Sequence, residues 1–387
     1  SKSSLILSRR PYLCAKLVLV LLFTGSHMKE ANRMNFEIDL SKYAELGVSE
    51  LQDAFDFAVD QVRRNLPEFT YKCQSSNSDN NMYWQEDNLE WTTGFWPGEI
   101  WLSYERTGDP IFALAGGIMV QSFLDRIVNK IEVEHHDMGF LYSLSCVSAY
   151  KLTGDEDART AALMAADQLA SRWNEKGKFL QAWGPFGSPD HNRLIVDCLI
   201  NLGLLYWASE ETGDPYYAEL AHQHIETTLK VIVRDNGSAY HTYYFDVETG
   251  EPERGVTHQG YKDDSSWARG QAWAVYGTAI SYRYTGEEKY KDYFKKTLTY
   301  YMNHLPSDLV PYWDLDFGEG SGEPLDSSSS SIVACGLLEM ADLCEGEERK
   351  EYRKLASILM KALIDKCAVN DPEESTGLVL NGTYAKH

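Results

Sequence analysis

The stretch that decides the fold is SEETGDPYY, residues 209–217, because it recurs along the chain in altered form. The related stretches are YERTGDP (104–110), YKLTGDED (150–157), YRYTGEEKY (282–290) and, less regularly, LCEGEERKEY (343–352). Each follows an apolar helical pattern and precedes a second one with aromatic and basic residues. Glycine suits a left-handed helix end, and the acid after it suits the positive dipole end of the next helix. The sequence therefore predicts helical hairpins, with a joint at each of these stretches.

The pattern around the joints predicts two sets of helices. Helices that end at a joint are expected at 97–106, 138–152, 194–211, 267–284 and 331–344. Helices that begin at a joint are expected at 109–130, 155–173, 214–234, 287–304 and 348–366, and a further helix, 49–64, precedes them all. The first set is richer in small and apolar residues, which predicts an inner ring within an outer amphipathic ring. This is an all-α (α/α)6 barrel. A closed barrel needs twelve helices and eleven are predicted, so either the last inner helix is missing from this chain, as we expect, or the ring closes differently.

Composition and charge narrow the class of protein. The 387 residues carry a net charge of −22, which argues against binding to nucleic acid or to an anionic membrane surface. A hydrophobic content of 43% is enough for a large core. The seven cysteines are odd in number and show no CxxC spacing, which argues against a disulfide framework or a zinc site and favours a reducing compartment.

The first 27 residues differ from the rest of the chain. They contain four basic residues and no acid, and LVLVLLFTGS (17–26) resembles a short signal-peptide core that is too short to span a bilayer. The run from Gly25 to Met28, GSHM, is typical of a vector-derived junction. We therefore expect residues 1–27 to be a leader or vector-like segment outside the fold, and residues 28–387 to form one domain.

Unusual residues collect before the inner helices. Because the joints define one rim of the barrel, the segments before the inner helices share the opposite rim. These segments are LEWTTGFWPGEIW (89–101), EHHDMGFLY (134–142), WGPFGSPDHNRLIVD (183–197), THQGYKDDSSWARGQAW (257–273) and EPLDSSSSS (323–331). Aromatic rings, carboxylates and an arginine around one mouth indicate a pocket for a polar, ring-shaped ligand.

Several of these residues have a structural alternative. Asp197 lies in an otherwise apolar stretch, and a buried Asp is rare unless it is paired or functional. Asp137 suits either the N-cap of its helix or the site. Adjacent His135 and His136 point in different directions and do not easily share a metal, so no metal and no cofactor are expected.

For other residues at this rim, the sequence also allows either a structural or a functional role. Arg269 is either a structural partner of Asp263 or Asp264 or a clamp for substrate, and Asp326 suits a helix start. Three tryptophans suit either the core or a pocket wall: Trp91, Trp96 and Trp267.

At these residues the sequence resembles the unsaturated glucuronyl hydrolase family, bacterial enzymes with an (α/α)6-barrel fold. The resemblance runs from about residue 35 to the end of the chain. It rests on WTTGFWPGEIWLSYERTGD, HHDMGFLYSLSC, HNRLIVDCLINLGLLYWA and HQGYKDDSSWARGQAWAVYG. It implies release of a 4,5-unsaturated uronic acid from the non-reducing end of glycosaminoglycan-type oligosaccharides. An acid protonates C4 of the enol ether, water adds at C5, and the resulting hemiketal opens, unlike ordinary attack at the anomeric carbon.

The resemblance also implies roles for individual residues. Asp197 matches the general acid and base, and Asp137 matches a second carboxylate that holds the sugar hydroxyls. The substrate-binding residues implied are Trp91, Phe140, His241, Gln259, Arg269 and Trp273. His258 takes the place of an arginine found in streptococcal members that favour sulfated disaccharides, which favours unsulfated or differently sulfated substrates.

Alternative functions remain at this point. An unsaturated galacturonyl (rhamnogalacturonyl) hydrolase would share the fold and the hydration chemistry. A sugar epimerase would need a histidine acid and base around the cavity, and a noncatalytic helical binding protein would need no acid. For the main interpretation we expect an unsaturated uronyl disaccharide or oligosaccharide as the substrate, a monomer or weak dimer, and a cytoplasmic location.

Overall fold

The computed structural model describes residues 34–386, so the predicted leader, residues 1–27, lies outside the described part of the chain. Five of the described helices end at a joint. One of them is a continuous run that consists of α4 (Met138–Tyr142), a π-helical turn (Ser143–Val147) and α5 (Ser148–Thr153). The other four are α2 (Phe95–Thr107), α7 (Cys198–Thr212), α9 (Ala268–Thr285) and α11 (Ser327–Leu343). The remaining helices are α1 (Val48–Phe69), α3 (Pro110–Val128), α6 (Glu156–Ala170), α8 (Tyr216–Ile232), α10 (Glu288–Asn303) and α12 (Gly346–Cys367). Most of the predicted helix ends lie within a few residues of these bounds.

The joints have the predicted geometry at four of the five positions. The glycines that end these helices have φ between 68° and 75°, a conformation that favours glycine, namely Gly108, Gly154, Gly213 and Gly286. The threonine before each glycine accepts a hydrogen bond from the backbone N–H of the acid after it, at 3.1–3.3 Å. Each TG(D/E) motif therefore closes one helix and orients the start of the next. At the fifth joint α11 ends at Leu343, and Gly346 (φ 60°) begins α12.

The helices that end at a joint form the inner ring. α11 packs on α9, α9 on α7 and α7 on α4, while the π-helical turn packs on α2. The second helix of each pair lies behind its partner, as α12 does behind α11. Most of α9 is buried, whereas α10 and α8 keep an exposed face. This confirms the predicted (α/α)6 arrangement of inner and outer helices.

α3 is the one described helix that is long and apolar enough to cross a membrane by length and composition. A core helix of a globular domain passes the same test, and α3, in the outer ring, packs against the inner helix α2 and the outer helix α6.

The chain after α12 connects the last helix pair to the first. Gln61 and Asn65 on α1 donate hydrogen bonds to the backbone carbonyls of Ser375 and Thr376, at 2.5 and 2.7 Å. The described residues contain eleven helices when 138–153 is counted as one, as predicted. Residues 375–384 cross the remaining side of the ring, between α11 and α1, and bring the chain to the rim opposite the joints.

Three small antiparallel sheets were not predicted. They are β1 (Cys73–Gln74) with β2 (Gln85–Glu86), β3 (Trp173–Asn174) with β4 (Phe179–Leu180), and β5 (Arg193–Ile195) with β6 (Thr242–Phe245) and β7 (Pro252–Val256). β5 corrects one predicted helix, 194–211, because pairing with β6 takes its first residues. The helix α7 begins only at Cys198, which places Asp197 at its N-terminus. The six described cysteines are free thiols.

Candidate active site

Two buried carboxylates lie at the N-terminal ends of neighbouring inner helices. Asp137 precedes α4 and Asp197 precedes α7, with 2% and 6% of their surface exposed. Both occupy the N-cap position, yet neither side chain makes a capping hydrogen bond. The N-cap alternative for Asp137 therefore holds for its position and not for its carboxylate. Both carboxylates remain available for chemistry in a low-dielectric pocket near positive helix ends.

The carboxylate of Asp137 faces N–H donors. Asn201 Nδ2 lies 3.4 Å from Asp137 Oδ1, and His136 Nε2 lies 3.2 Å from the same oxygen. Trp183 is a further hydrogen-bond partner of this carboxylate. Asn201 also donates to the backbone carbonyl of Asp197, at 3.3 Å, and so ties the two acids together. Such donors stabilise a carboxylate in its ionised form.

The two histidines are neutral supports of Asp137. His135 Nδ1 accepts the backbone N–H of Asp137 at 3.0 Å, so Nε2 carries the proton and donates to the Glu132 carbonyl at 3.0 Å. Burial lowers the pKa of His135 to about 3 and that of His136 well below its usual value. Because both nitrogens of His135 are used by backbone groups, its contacts suit a structural role, and its ring stacks on Trp183 with centroids 4.1 Å apart.

Burial raises the pKa of both carboxyl groups. The pKa of Asp197 rises to about 6, against the opposing charge of Arg269. The pKa of Asp137 is raised by burial and then by the charge of Asp197, against the donors of Asn201 and Trp183. Within the described residues Asp197 Oδ1 has no hydrogen-bond partner. The donors that face Asp137 favour its ionised form, whereas Asp197 Oδ1 has no such donor in that part of the chain.

Aromatic rings form a continuous wall beside the two acids. The ring centroid of Phe140 lies 5.0 Å from that of Trp273, 5.6 Å from that of Trp91 and 5.5 Å from that of Phe95. The predicted residues Trp91, Phe140 and Trp273 are thus together, and Phe95 joins them. This surface suits the flat face of a sugar ring.

Several buried polar atoms at this rim have no partner among residues 34–386. They include the ring nitrogens His241 Nε2, Trp267 Nε1 and Trp273 Nε1 as well as Asp197 Oδ1. His241 Nδ1 accepts the backbone N–H of His258 at 2.9 Å, so Nε2 of His241 is a donor. Unpaired buried donors and an unpaired acceptor are costly, and their convergence indicates a site for a polar ligand.

Arg269 is held by different partners from those predicted. Its guanidinium donates to Gln259 Oε1 at 2.7 Å and to the backbone carbonyls of Thr383 and Tyr384 at 2.8 and 2.6 Å. Its acidic partner is Asp326, at 3.5 Å, so the structural alternative for Arg269, a pairing with Asp263 or Asp264, is wrong. Asp326 also caps α11 as predicted, by accepting the N–H of Ser328. Arg269 therefore orients Gln259 and the end of the chain.

Tyr384, which was not predicted, contacts the aromatic wall of the candidate site. Trp91 Nε1 donates to its hydroxyl at 3.0 Å, and the two rings are 6.2 Å apart. Burial raises the pKa of Tyr384, against the hydrogen bond from Trp91 and the charge of Arg269, and the carboxylates of Asp197 and Asp137 raise it further. The only signal in the sequence is an aromatic residue in the final stretch NGTYAKH, which no helical pattern links to the site.

The three tryptophans that suited either the core or a pocket wall lie in different places. Trp96 belongs to the core, where its Nε1 donates to the Phe69 carbonyl. Trp91 lines the site. Trp267 supports it, because its ring lies 4.5 Å from that of His241 and 4.6 Å from the Arg269 guanidinium carbon.

One group of described residues away from the rim has the spacing of metal ligands. It consists of His222, Glu226 and Glu287. Lys289 Nζ lies 2.6 Å from Glu226 and 2.9 Å from Glu287, so a lysine already balances these acids.

Comparisons of this chain with known proteins agree on one family. Residues 66–386 match the family described as Glycosyl Hydrolase Family 88. The unsaturated chondroitin disaccharide hydrolase of Streptococcus pyogenes serotype M1 is 43% identical over 344 residues, which cover 88% of this chain and 86% of the relative. The unsaturated glucuronyl hydrolase of Bacillus sp. (strain GL1) is 42% identical over 336 residues, 86% of this chain and 89% of the relative.

A solved structure agrees with these matches. The crystal structure of unsaturated glucuronyl hydrolase from Streptococcus agalactiae superimposes with a TM-score of 0.85 at 39% identity, over 92% of each chain. The likeness therefore extends over nearly the whole described barrel.

Proposed function

Because the chain belongs to glycosyl hydrolase family 88 and is an enzyme of its unsaturated glucuronyl hydrolase type, we propose that it releases 4,5-unsaturated uronic acid from glycosaminoglycan-type oligosaccharides. The reaction is hydration of the C4=C5 enol ether. The observation that carries this proposal is Asp197, a buried carboxyl with an unpartnered Oδ1 and a pKa raised to about 6. Such a group can hold a proton near neutrality and deliver it to carbon.

The residues of the site support a simple sequence of steps. The wall of Trp91, Phe140 and Trp273 holds the unsaturated ring, and the carboxylate of Asp137 accepts hydrogen bonds from its hydroxyls. Asp197 donates its proton to C4, and water adds its oxygen to C5 and returns a proton to Asp197. The resulting hemiketal opens and frees the partner sugar. One carboxyl acts as acid and then as base, so the usual separations of glycosidase acids do not apply.

The experiment that tests this proposal is turnover of a panel of disaccharides prepared with polysaccharide lyases. Loss of the enol-ether absorbance is expected with unsaturated chondroitin disaccharides. Faster turnover of unsaturated rhamnogalacturonan disaccharides would instead favour the galacturonyl hydrolase of the same fold. Failure to hydrolyse either would refute the proposal. We further propose a cytoplasmic monomer or weak dimer, and the six described free thiols support a reducing compartment.

The rate should depend on the protonation of Asp197. Because its pKa is raised to about 6, the acid form predominates below pH 6 and is lost above it. We expect kcat/KM to fall about tenfold for each pH unit above that pKa. The measurement is kcat/KM from pH 4.5 to 8.5, with circular dichroism as the control for folding. A rate that climbs through pH 6 to a plateau at pH 8 would contradict this role.

Residue 258 is expected to tune the response to sulfate. His258 Nε2 lies 3.2 Å from Arg193 Nη1 and accepts its hydrogen bond. His258→Arg should raise the ratio of kcat/KM for sulfated over unsulfated chondroitin disaccharides, by about 3- to 10-fold, because it adds a charge at the mouth. His258→Gln, which adds no charge, is the matched control. An unchanged ratio in His258→Arg would remove residue 258 from substrate selection.

A further inference from the structure

A ladder of two arginines and a tyrosine crosses the three-stranded sheet. Arg193 on β5 is paired directly with Tyr244 on β6, and Tyr244 is paired directly with Arg254 on β7. Directly paired residues project from the same face of a sheet. Arg193 Nη1 donates to the Tyr244 hydroxyl at 2.8 Å, and the Arg254 guanidinium carbon lies 4.5 Å from the centre of the Tyr244 ring. Two cations are therefore held beside one aromatic ring.

The ladder has more positive charge than its neighbours balance. Arg254 donates to Glu253, an exposed neighbour, at 3.1 Å. Arg193 donates to Tyr244 and to His258 Nε2, at 3.2 Å, and has no ion pair with a carboxylate in the described part of the chain. Its Nε is buried without a partner there. On a chain of net charge −22, such a surplus is unusual and suits an anion.

The ladder adjoins the candidate active site. His258, which contacts Arg193, donates its backbone N–H to His241 Nδ1, and the two histidine rings are 5.8 Å apart. Asp197 follows Arg193 by four residues, just after β5 ends at Ile195. Burial lowers the pKa of His241, and the charges of His258, Arg269 and Arg193 lower it further. A sugar that extends from the unsaturated ring past His241 would approach His258 and Arg193, and Arg254 lies next along the sheet, beyond Tyr244.

We propose that Arg193 and Arg254 form a subsite for an anionic substituent, sulfate or carboxylate, on a sugar that follows the unsaturated uronate. The subsite rests on the proposed function. Guanidinium groups bind such oxyanions through paired hydrogen bonds, and Tyr244 fixes the side chains in place.

The test compares three substrates: an unsulfated unsaturated chondroitin disaccharide, its sulfated counterpart and an unsulfated unsaturated tetrasaccharide. For the sulfated disaccharide or the tetrasaccharide, kcat/KM is divided by the value for the unsulfated disaccharide. We expect this ratio to fall about tenfold in Arg193→Gln and Arg254→Gln, and further in the double variant. The ratio should also shrink with added salt. Arg63→Gln, at the first joint where Arg63 pairs with Asp109, is the matched control and should keep the ratio.

The outcomes separate the subsite from the proposed function. A fall with the sulfated disaccharide identifies sulfate as the ligand group, and a fall only with the tetrasaccharide identifies the carboxylate. An equal loss on all three substrates, or a ratio unchanged in both single variants, would overturn the subsite while leaving the hydrolase in place. No turnover of any of the three by the unaltered protein would overturn the proposed function itself. Arg254 is exposed, so its variant should fold even if Arg193→Gln does not.

Discussion

Asp197→Asn should lower kcat by about 10³-fold and leave substrate binding nearly intact. Positioned acids and bases contribute about 10²- to 10⁴-fold, and here one carboxyl serves both steps. Asparagine keeps the shape of the side chain but cannot give a proton to C4. The measurements are the initial rate of enol-ether loss and the Kd for the unsaturated disaccharide from tryptophan fluorescence, which the aromatic wall should report.

Two controls accompany this variant. Asp190→Asn changes an exposed acid in the same segment and should keep full activity. Thermal stability of Asp197→Asn should not fall near pH 8, because the pKa of the native carboxyl is raised and its ionisation destabilises the fold as the pH rises through about 6. Activity retained in Asp197→Asn would remove Asp197 from the chemistry.

Asp137→Asn should lower kcat/KM by about 10²-fold and also move the pH profile. Asn201 donates to this carboxylate, His136 Nε2 lies 3.2 Å from it, and an amide there accepts less well from the sugar hydroxyls. Loss of the Asp137 charge also stabilises the ionised form of Asp197, since the two acids interact reciprocally. The descending limb of kcat/KM should therefore shift to lower pH.

A shift of the pH profile distinguishes the loss of charge coupling between Asp137 and Asp197 from a mere change in the position of the two acids. Asn201→Ala removes the amide that ties the two acids together but keeps the Asp137 charge, so it should lower the rate without moving the limb to lower pH. A profile for Asp137→Asn that superimposes on that of the unaltered protein would contradict the coupling.

Much of the barrel could be predicted because one short motif, TG(D/E), recurs along the chain and sets the helix ends in the same way each time. A left-handed glycine ends a helix, and the threonine before it orders the backbone of the following acid, so each joint fixes two helix ends. The sheets were missed because β1 to β4 are two residues each and β5 lies inside an apolar run that also fits a helix. This misplaced Asp197 within a helix rather than at its start.

The residues of the candidate site likewise fall into those that the sequence could place and those that it could not. Asp137, Phe140 and Trp273 could be placed together because each lies near the start of an inner helix. Partners that depend on distant loops could not be predicted: the structural alternative for Arg269 named Asp263 or Asp264, whereas its acidic partner is Asp326. Tyr384 reaches the site through a segment without helical periodicity, and only the fold reveals its contact with Trp91.

The measurement that tests the central claim most directly is NMR of the products formed in D₂O. If Asp197 protonates the enol ether, the first product should carry one solvent deuterium at C4, on a single face, and the enol ether should disappear no later than the partner sugar is released. Asp197→Asn should abolish both changes. Release of the partner sugar while the C4=C5 bond persists, or deuterium on both faces of C4 from the outset, would contradict hydration at this site.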